Sequence, residues 1–462
     1  MVNVFFIALV IYLIVFMIIG VFDLRNIKTF KDYSTAGKNQ GITAVVMTLL
    51  ATVVGASTTI GITDTVYKIG FPGIWWLAFG ALGLILQSVF ISERVRSIDA
   101  YTLPDLAGKI VGDKAEKIIA LIIVISWIGV IAGQFVAINN LITFAFGNNN
   151  KTVFIIVSII VIIYTMAGGQ MSVVRTDRLQ LIIIISGIAV CSGYLYFVKG
   201  GNTAEVIQNI ELLNENYGVS DLFTQFFVIG GVYFLGPDII SRNFISKDPY
   251  VAKRSALAAG IGLLIFSVMI TFTGMWIRYN VPGGMLEGKS ALMYAITLLP
   301  GPVSILLVFG LLSAILSSTD TCLINASAIF IKDILKKESV KGMRITVPVI
   351  GGLALFLALL GRSDIMSLLT GAYSVYTPGI IFPLMIAILV YKRYEIKKGI
   401  WLSAVITGGV FGILSSYFGG FLTSSGIPSV IIRHLTLIGM GLSLVLSVIS
   451  VRWGEKRTEV KE

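Results

Sequence analysis

Charge is scarce in this sequence. Only 13% of its 462 residues are Asp, Glu, Lys or Arg, about half the share found in an ordinary soluble protein, and 56% are hydrophobic. Water is therefore excluded as the main solvent. Cysteine and histidine are nearly missing, with two and one respectively. Cys191 and Cys322 fall in separate apolar runs and read as inert thiols, which excludes a disulfide framework and a Cys/His metal site. The single His434 stands at the edge of an apolar run, an interfacial position with no nucleophile arrangement around it, and no GxxxxGK phosphate loop occurs. The chain is expected not to be an enzyme and not to hydrolyse ATP itself.

What the sequence does contain is apolar runs of about 20 residues, the length that crosses a bilayer as a helix. Thirteen segments fit, at 2–22, 42–67, 74–91, 118–146, 152–167, 180–198, 222–241, 255–277, 303–331, 345–360, 365–390, 400–418 and 434–451. A formal charge of +11 raises the question of nucleic acid, but the charge is distributed as in a membrane protein. With the N-terminus outside, seven basic residues (Lys68, Lys151, Lys199, Arg278, Lys289, Arg362 and Arg433) lie outside and the other 28 of 35 lie inside. This asymmetry places the C-terminus on the inner side of a cell membrane and leaves no basic residue within a segment. The first segment lacks a basic leader and a cleavage site, and Arg25, Lys28 and Lys31 follow it, so it is expected to stay as a helix.

In hydrocarbon a helix breaks only where protein or a water-filled cavity covers the break. The second segment carries Gly55-Ala56-Ser57-Thr58-Thr59-Ile60-Gly61, hydroxyl and β-branched residues between glycines, which predicts unwinding over 55–61 with freed carbonyls. The seventh carries Gly230-Gly231 and Gly236-Pro237-Asp238, where proline removes a backbone donor. Counted from the second segment, the breaks fall in the first and sixth helices of two five-helix halves. Five is odd, so the halves have opposite topology, as in inverted-repeat transporters that bind substrate and ion at the midplane.

The ninth segment puts Ala314, Ser317, Ser318 and Thr321 on one helical face. Asp320 stands among them, just before Thr321, and a carboxylate in the membrane needs a proton, a bound cation or a basic partner. Sodium, a hard cation suited to oxygen ligands, is the economical occupant of a site formed by these hydroxyls and carbonyls near Ala56. Three further acids stand near the membrane. Asp64 either reaches outer water or meets an amine, Asp238 sits at the second break, and Asp177 with Gln180 fits either a helix N-cap and its capping-box partner or an ion site.

These residues, together with Asp32-Tyr33-Ser34-Thr35-Ala36-Gly37-Lys38, Tyr101-Thr102-Leu103-Pro104-Asp105, Gln134, Thr176-Asp177-Arg178-Leu179-Gln180, Pro237-Asp238-Ile239-Ile240-Ser241-Arg242, Ser246-Lys247-Asp248 and the run from Ala314 to Asp333, make the chain resemble the sodium:solute symporter family. The resemblance implies an all-α polytopic membrane protein with a leucine-transporter-like 5+5 inverted repeat and about 13 transmembrane helices. Residues 1–40 would form an extra helix and loop, 41–221 and 222–398 the two repeats, and 399–462 two added helices and a tail. A main sodium site is implied at Ala56, Thr59, Ala314, Ser317 and Ser318, and a second cation site at Asp177, Ser317, Asp320 and Thr321.

The expected activity is sodium-coupled symport of a small polar solute by alternating access. The expected lining is Thr58, Thr59, Gln87, Gln134, Tyr233, Asp238, Tyr373 and Tyr376. With no basic residue in the segments, an amino-acid-like zwitterion is favoured, its carboxylate meeting half-helix N-termini and its amine Asp64 or Asp238. A proton-coupled carrier and a transporter-derived sensor remain open. No cofactor beyond Na+ as coupling ion, no nucleic acid and no obligate protein partner are expected; the partners are solute, Na+ and the bilayer.

Overall fold

The computed structural model describes residues 10–19, 27–146, 150–286, 289–361 and 364–456. Its principal helices are α1 (Val10–Ile19), α2 (Ile42–Val53), α3 (Ser57–Ile69), α4 (Phe71–Phe90), α5 (Asp113–Phe146), α6 (Lys151–Gly193), α7 (Val219–Ile245), α8 (Pro249–Asn280), α9 (Ala291–Leu298), α10 (Gly301–Ile329), α11 (Val340–Leu359), α12 (Ile365–Val390), α13 (Lys398–Tyr417) and α14 (Ser429–Ile449). A short ribbon pairs Tyr394–Ile396 antiparallel with Val451–Lys456. Among the described residues nine helices are long and apolar enough to cross a bilayer, and α2 with α3 adds a tenth as a pair bent by 61°. Much of the expected first segment and of the C-terminal tail lies outside the described residues.

The fifth and sixth predicted segments fall on one element, α6, whose 43 residues are about twice what a single span needs. Its pivot is Gly169, at φ 53 and ψ −164, a conformation open essentially to glycine alone. Thr165 and Asp177, on either side of that pivot, both reach α10, at Asp320 and Ser317. The chain therefore doubles back at one residue. The loop expected over 168–179 is helix, and the N-cap reading of Asp177 is overturned, because Asp177 sits inside α6 with side-chain donors around it. Gln180, its supposed capping partner, donates instead to the Tyr12 hydroxyl at 3.5 Å.

Small residues bring the backbones close, as membrane packing requires in the absence of a hydrophobic drive between helices. A side chain at Gly187 of α6 would come within 2.9 Å of the Leu306 carbonyl on α10, and one at Gly83 of α4 within 2.4 Å of the Gly230 carbonyl on α7. These contacts pack α4 against the second broken helix and α6 against the helix that carries Ser317 and Ser318.

Both predicted breaks exist, and both are narrower than expected. Regular helix stops at Val53, and the bend is confined to Val54 and Gly55; Ser57–Gly61 is a wide π turn rather than an unwound stretch. The cause is local. Thr58 donates its hydroxyl to the Val53 and Gly55 carbonyls at 3.0 and 3.1 Å, and Thr59 donates to Gly55 at 2.8 Å, so the side chains that weaken an α-helix also rewind the chain beyond the bend. In α7 the break is Gly236 alone, extended at φ −63 and ψ 144 before Pro237. The carbonyls just before it are satisfied by Gln87, which donates to Phe234 at 3.1 Å, and by Tyr376, which donates to Leu235 at 2.5 Å.

Candidate functional site

The break between α2 and α3 faces the polar stripe of α10. Ser318 donates its hydroxyl to the Thr52 carbonyl at 2.8 Å, and Gly55 lies so close that a Cβ there would stand 2.4 Å from the Ser318 Oγ. The Ala56 N–H points to the Gln134 side-chain oxygen at 3.4 Å. Ala314 is fully buried on the same stripe. Thr59 lies deeper in the π turn, where its carbonyl accepts the Thr63 hydroxyl at 2.8 Å. Among these contacts the α2 carbonyl that meets α10 is that of Thr52.

One turn away lies a polar knot that hydropathy concealed. The Asp177 carboxylate accepts from Thr48, and from Ser317 at 2.6 Å. Arg242 Nη2 lies 3.5 Å from the same carboxylate and donates to Thr52 Oγ1 at 2.5 Å and Thr321 Oγ1 at 2.6 Å, while Nη1 donates to Ser241 at 3.0 Å. Arg242 and Asp177 are both fully buried. The expectation that no basic residue enters the membrane core is thus corrected. The seventh segment ends at Ser241 by hydropathy, but Pro237–Ile245 continues as helix and carries the next residue inward. Such a pair is tolerated because the ions face each other and hydroxyls take up both terminal guanidinium nitrogens, while Nε is left without a partner among the described residues.

Asp320 takes no part in this knot. It lies on another face of α10, where it accepts from Tyr164 and Thr165, both at 2.5 Å. Of the expected second cation set, the structure brings Asp177, Ser317 and Thr321 around Arg242 and leaves Asp320 elsewhere. Asp64 accepts the Ala291 N–H at 2.6 Å and so fixes the start of α9 to α3.

Beside the two breaks is a cavity of about 50 Å³, lined in part by Gly55, Trp127, Gln134, Tyr233, Asp238 and Tyr373. A cavity of about 150 Å³ accommodates benzene, so this one has room for water and must widen to admit an organic solute. Four of the expected lining residues are present. Gln87 and Tyr376 serve the broken backbone instead, and Thr58 folds onto its own helix. Asp238 accepts from Trp127 at 2.6 Å, Asn325 at 2.7 Å and the Cys322 thiol at 3.2 Å, which leaves it poorly placed to pair with an amine. Trp127, Cys322 and Asn325 were missed by sequence reasoning. Asn325 could have been found, since it stands one helical turn beyond Thr321 on the polar stripe.

The profile of the sodium:solute symporter family matches residues 33–408, a span that takes in both breaks, Asp177, Arg242 and the polar stripe. The chain belongs to the sodium:solute symporter family. It is 25% identical to the osmoregulated proline transporter OpuE of Bacillus subtilis, over 96% of this chain and 95% of that protein. It is likewise 25% identical to the sodium/pantothenate symporter of Escherichia coli, over 87% and 88%. Among solved structures, a Na+-coupled sialic acid symporter in a substrate-bound outward-open state superposes with a TM-score of 0.81 at 18% identity, covering 100% of this chain and 99% of that one. MhsT in complex with L-phenylalanine superposes at 0.59 with 13% identity, covering 89% and 99%. The fold is therefore the leucine-transporter-like one, and the symporter is a multi-pass membrane protein that couples sodium to the movement of a small solute.

Proposed function

We propose that the symporter moves a small polar solute of the amino-acid class inward with sodium, and that sodium binds where Ser318 meets the broken end of α2. The Ser318 hydroxyl against the Thr52 carbonyl, at 2.8 Å, carries this reading. It joins α10 to the bend through oxygens alone, the ligand type a hard cation takes. Ala56, Ala314, Ser317 and Ser318 remain the proposed ligands, with Thr52 in place of Thr59. Sodium entering there ties α2 and α3 to α10 and favours the state that receives solute from outside, in an orientation with the N-terminus outside.

The solute binds in the cavity beside Gln134, Tyr233 and Tyr373, close to Gly236, where the Pro237–Ile245 half-helix begins. Its carboxylate faces that half-helix N-terminus, whose partial positive charge suits an anion. The named relatives carry proline and pantothenate, small solutes that each bear a carboxylate, which supports the class without selecting a member. One sodium ion crossing about 100 mV down a tenfold gradient releases roughly 3.7 kcal/mol, enough to concentrate a neutral solute about 500-fold.

Asp320, buried among neutral hydroxyl donors, favours a second reading in which a proton is the coupling ion. Uptake of labelled amino acids, sugars, vitamins and carboxylates into proteoliposomes, under an inward sodium gradient, an inward proton gradient or neither, separates the two. Sodium-driven uptake of an amino acid supports the proposal. Proton-driven uptake indifferent to sodium overturns it, and binding without uptake points to a sensor.

A further inference from the structure

The position the sequence offers for a second coupling ion is taken by a side chain. Arg242 Nη2 stands among Thr52 Oγ1 at 2.5 Å, Thr321 Oγ1 at 2.6 Å and Asp177 Oδ2 at 3.5 Å. Hydroxyls and one carboxylate converging on a single positive atom is the donor set an alkali cation takes. The other hydroxyl of the set, Ser317, already donates to Asp177 at 2.6 Å. We propose that the Arg242 guanidinium is a built-in cation occupying the place of a second sodium ion, so that the symporter couples each solute to one sodium ion only.

The charges around the knot agree. Asp177 is the one carboxylate within ion-pair distance of Arg242 among the described residues. Asp238, four residues earlier on the same half-helix, is engaged by Trp127, Asn325 and Cys322, and Asp320 is turned to Tyr164 and Thr165. At ion-pair distance, one positive and one negative group therefore face each other without an ion. A sodium ion brought to Asp177 would stand a few ångströms from a guanidinium that does not deprotonate, in a medium where like charges repel strongly. Because Arg242 belongs to the half-helix following the Gly236 break, its contacts with Thr52 and Thr321 also link the two broken helices and α10, the work a bound ion would otherwise do. Unlike an ion, it is not released inside and adds nothing to the charge moved per cycle.

The inference rests on the reading of the Ser318 region as the main sodium site, and the test separates the two. Binding of radiolabelled sodium, with no solute present, is counted per protein in nanodiscs. Wild type and Arg242→Lys are expected to bind one ion, Arg242→Gln two, and the double variant Arg242→Gln with Asp177→Asn one again. A merely structural arginine would lower the fraction folded without adding an ion. Two ions on wild type, or one on folded Arg242→Gln, overturns the proposal. Should Arg242→Gln not fold, Asp177→Asn alone decides: one ion with affinity unchanged supports the built-in cation, whereas a tenfold or greater loss makes Asp177 a sodium ligand and overturns it. Wild type that binds no sodium overturns the main-site reading, and the second-site inference with it.

Discussion

Ser318 on α10 holds the Thr52 carbonyl at 2.8 Å, across the bend that separates α2 from α3. Helix α2 ends at Val53 and Gly55 leaves no room for a side chain, so this hydroxyl is a direct polar link between the end of α2 and the stripe, beside the Thr52–Thr321 hydroxyl pair at 3.3 Å. Ser318→Ala removes one oxygen from the proposed shell and one hydrogen bond worth about 0.5–1.5 kcal/mol. The expected result is a sodium requirement raised by up to about tenfold, with solute binding at saturating sodium little changed. An unaltered sodium dependence in folded Ser318→Ala would remove Ser318 from the site. The measurement is solute uptake against sodium concentration in proteoliposomes.

Asp238 is expected to act through position rather than by touching the solute. It accepts three donors, from Trp127, Asn325 and Cys322, and an amide at 238 would turn its own N–H groups toward at least one of them. Asp238→Asn should destabilise the symporter by roughly 1–3 kcal/mol, the penalty of buried donors left unpaired. Trp127→Phe, which removes one donor and leaves the carboxylate two, should cost less. Thermal melting of the detergent-solubilised variants orders them. An Asp238→Asn protein as stable as wild type but unable to bind solute would instead make Asp238 a direct ligand.

The helices and both breaks were legible because hydropathy and glycine–proline chemistry are local properties. The polar stripe was legible for the same reason, since Ala314, Ser317, Ser318 and Thr321 follow helical spacing. Arg242 was not. Its neighbours read as the start of a basic loop, and only the helix running on from Pro237 to Ile245 turns it toward Asp177. Asp177 was misplaced by the same kind of error, because the polar stretch 168–179 reads as a loop, whereas the reversal takes Gly169 and the rest stays helical. The partners of Asp238 come from α5 and α10, more than 80 residues away, a distance at which spacing carries no information.

Outside the membrane region, Lys38 donates to Asp99 at 2.5 Å and lies 4.1 Å from the Tyr101 ring centroid. That hydrogen bond, aided by the positive charge, holds the Asp99 carboxyl below its usual 3.8. A carboxyl lowered by folding stabilises the protein above its unfolded value, and the contribution disappears as pH falls through the lower, folded value. Asp99 is 75% exposed, so water screens the pair and its worth stays under about 1 kcal/mol. Asp99→Asn is therefore expected to melt slightly below wild type near neutral pH and together with it once the medium is acid enough to protonate Asp99. A gap that widens on acidification would contradict this sign.

Gly169 gives the sharpest test of the fold itself. The reversal within α6 requires φ 53 with ψ −164, and any Cβ there would sit 3.0 Å from both the Tyr33 ring and the Tyr33 carbonyl. Tyr33 cannot move aside freely, since it is fully buried and its hydroxyl donates to the Met166 carbonyl at 2.7 Å. Gly169→Ala should lose about 1–3 kcal/mol to backbone strain, with the collision adding to it. Because the same reversal brings Thr165 to Asp320 and Asp177 to Ser317 on α10, the variant should lose thermal stability, read as a lowered melting temperature. Gly169→Ala melting with wild type would mean that the chain does not reverse at this residue.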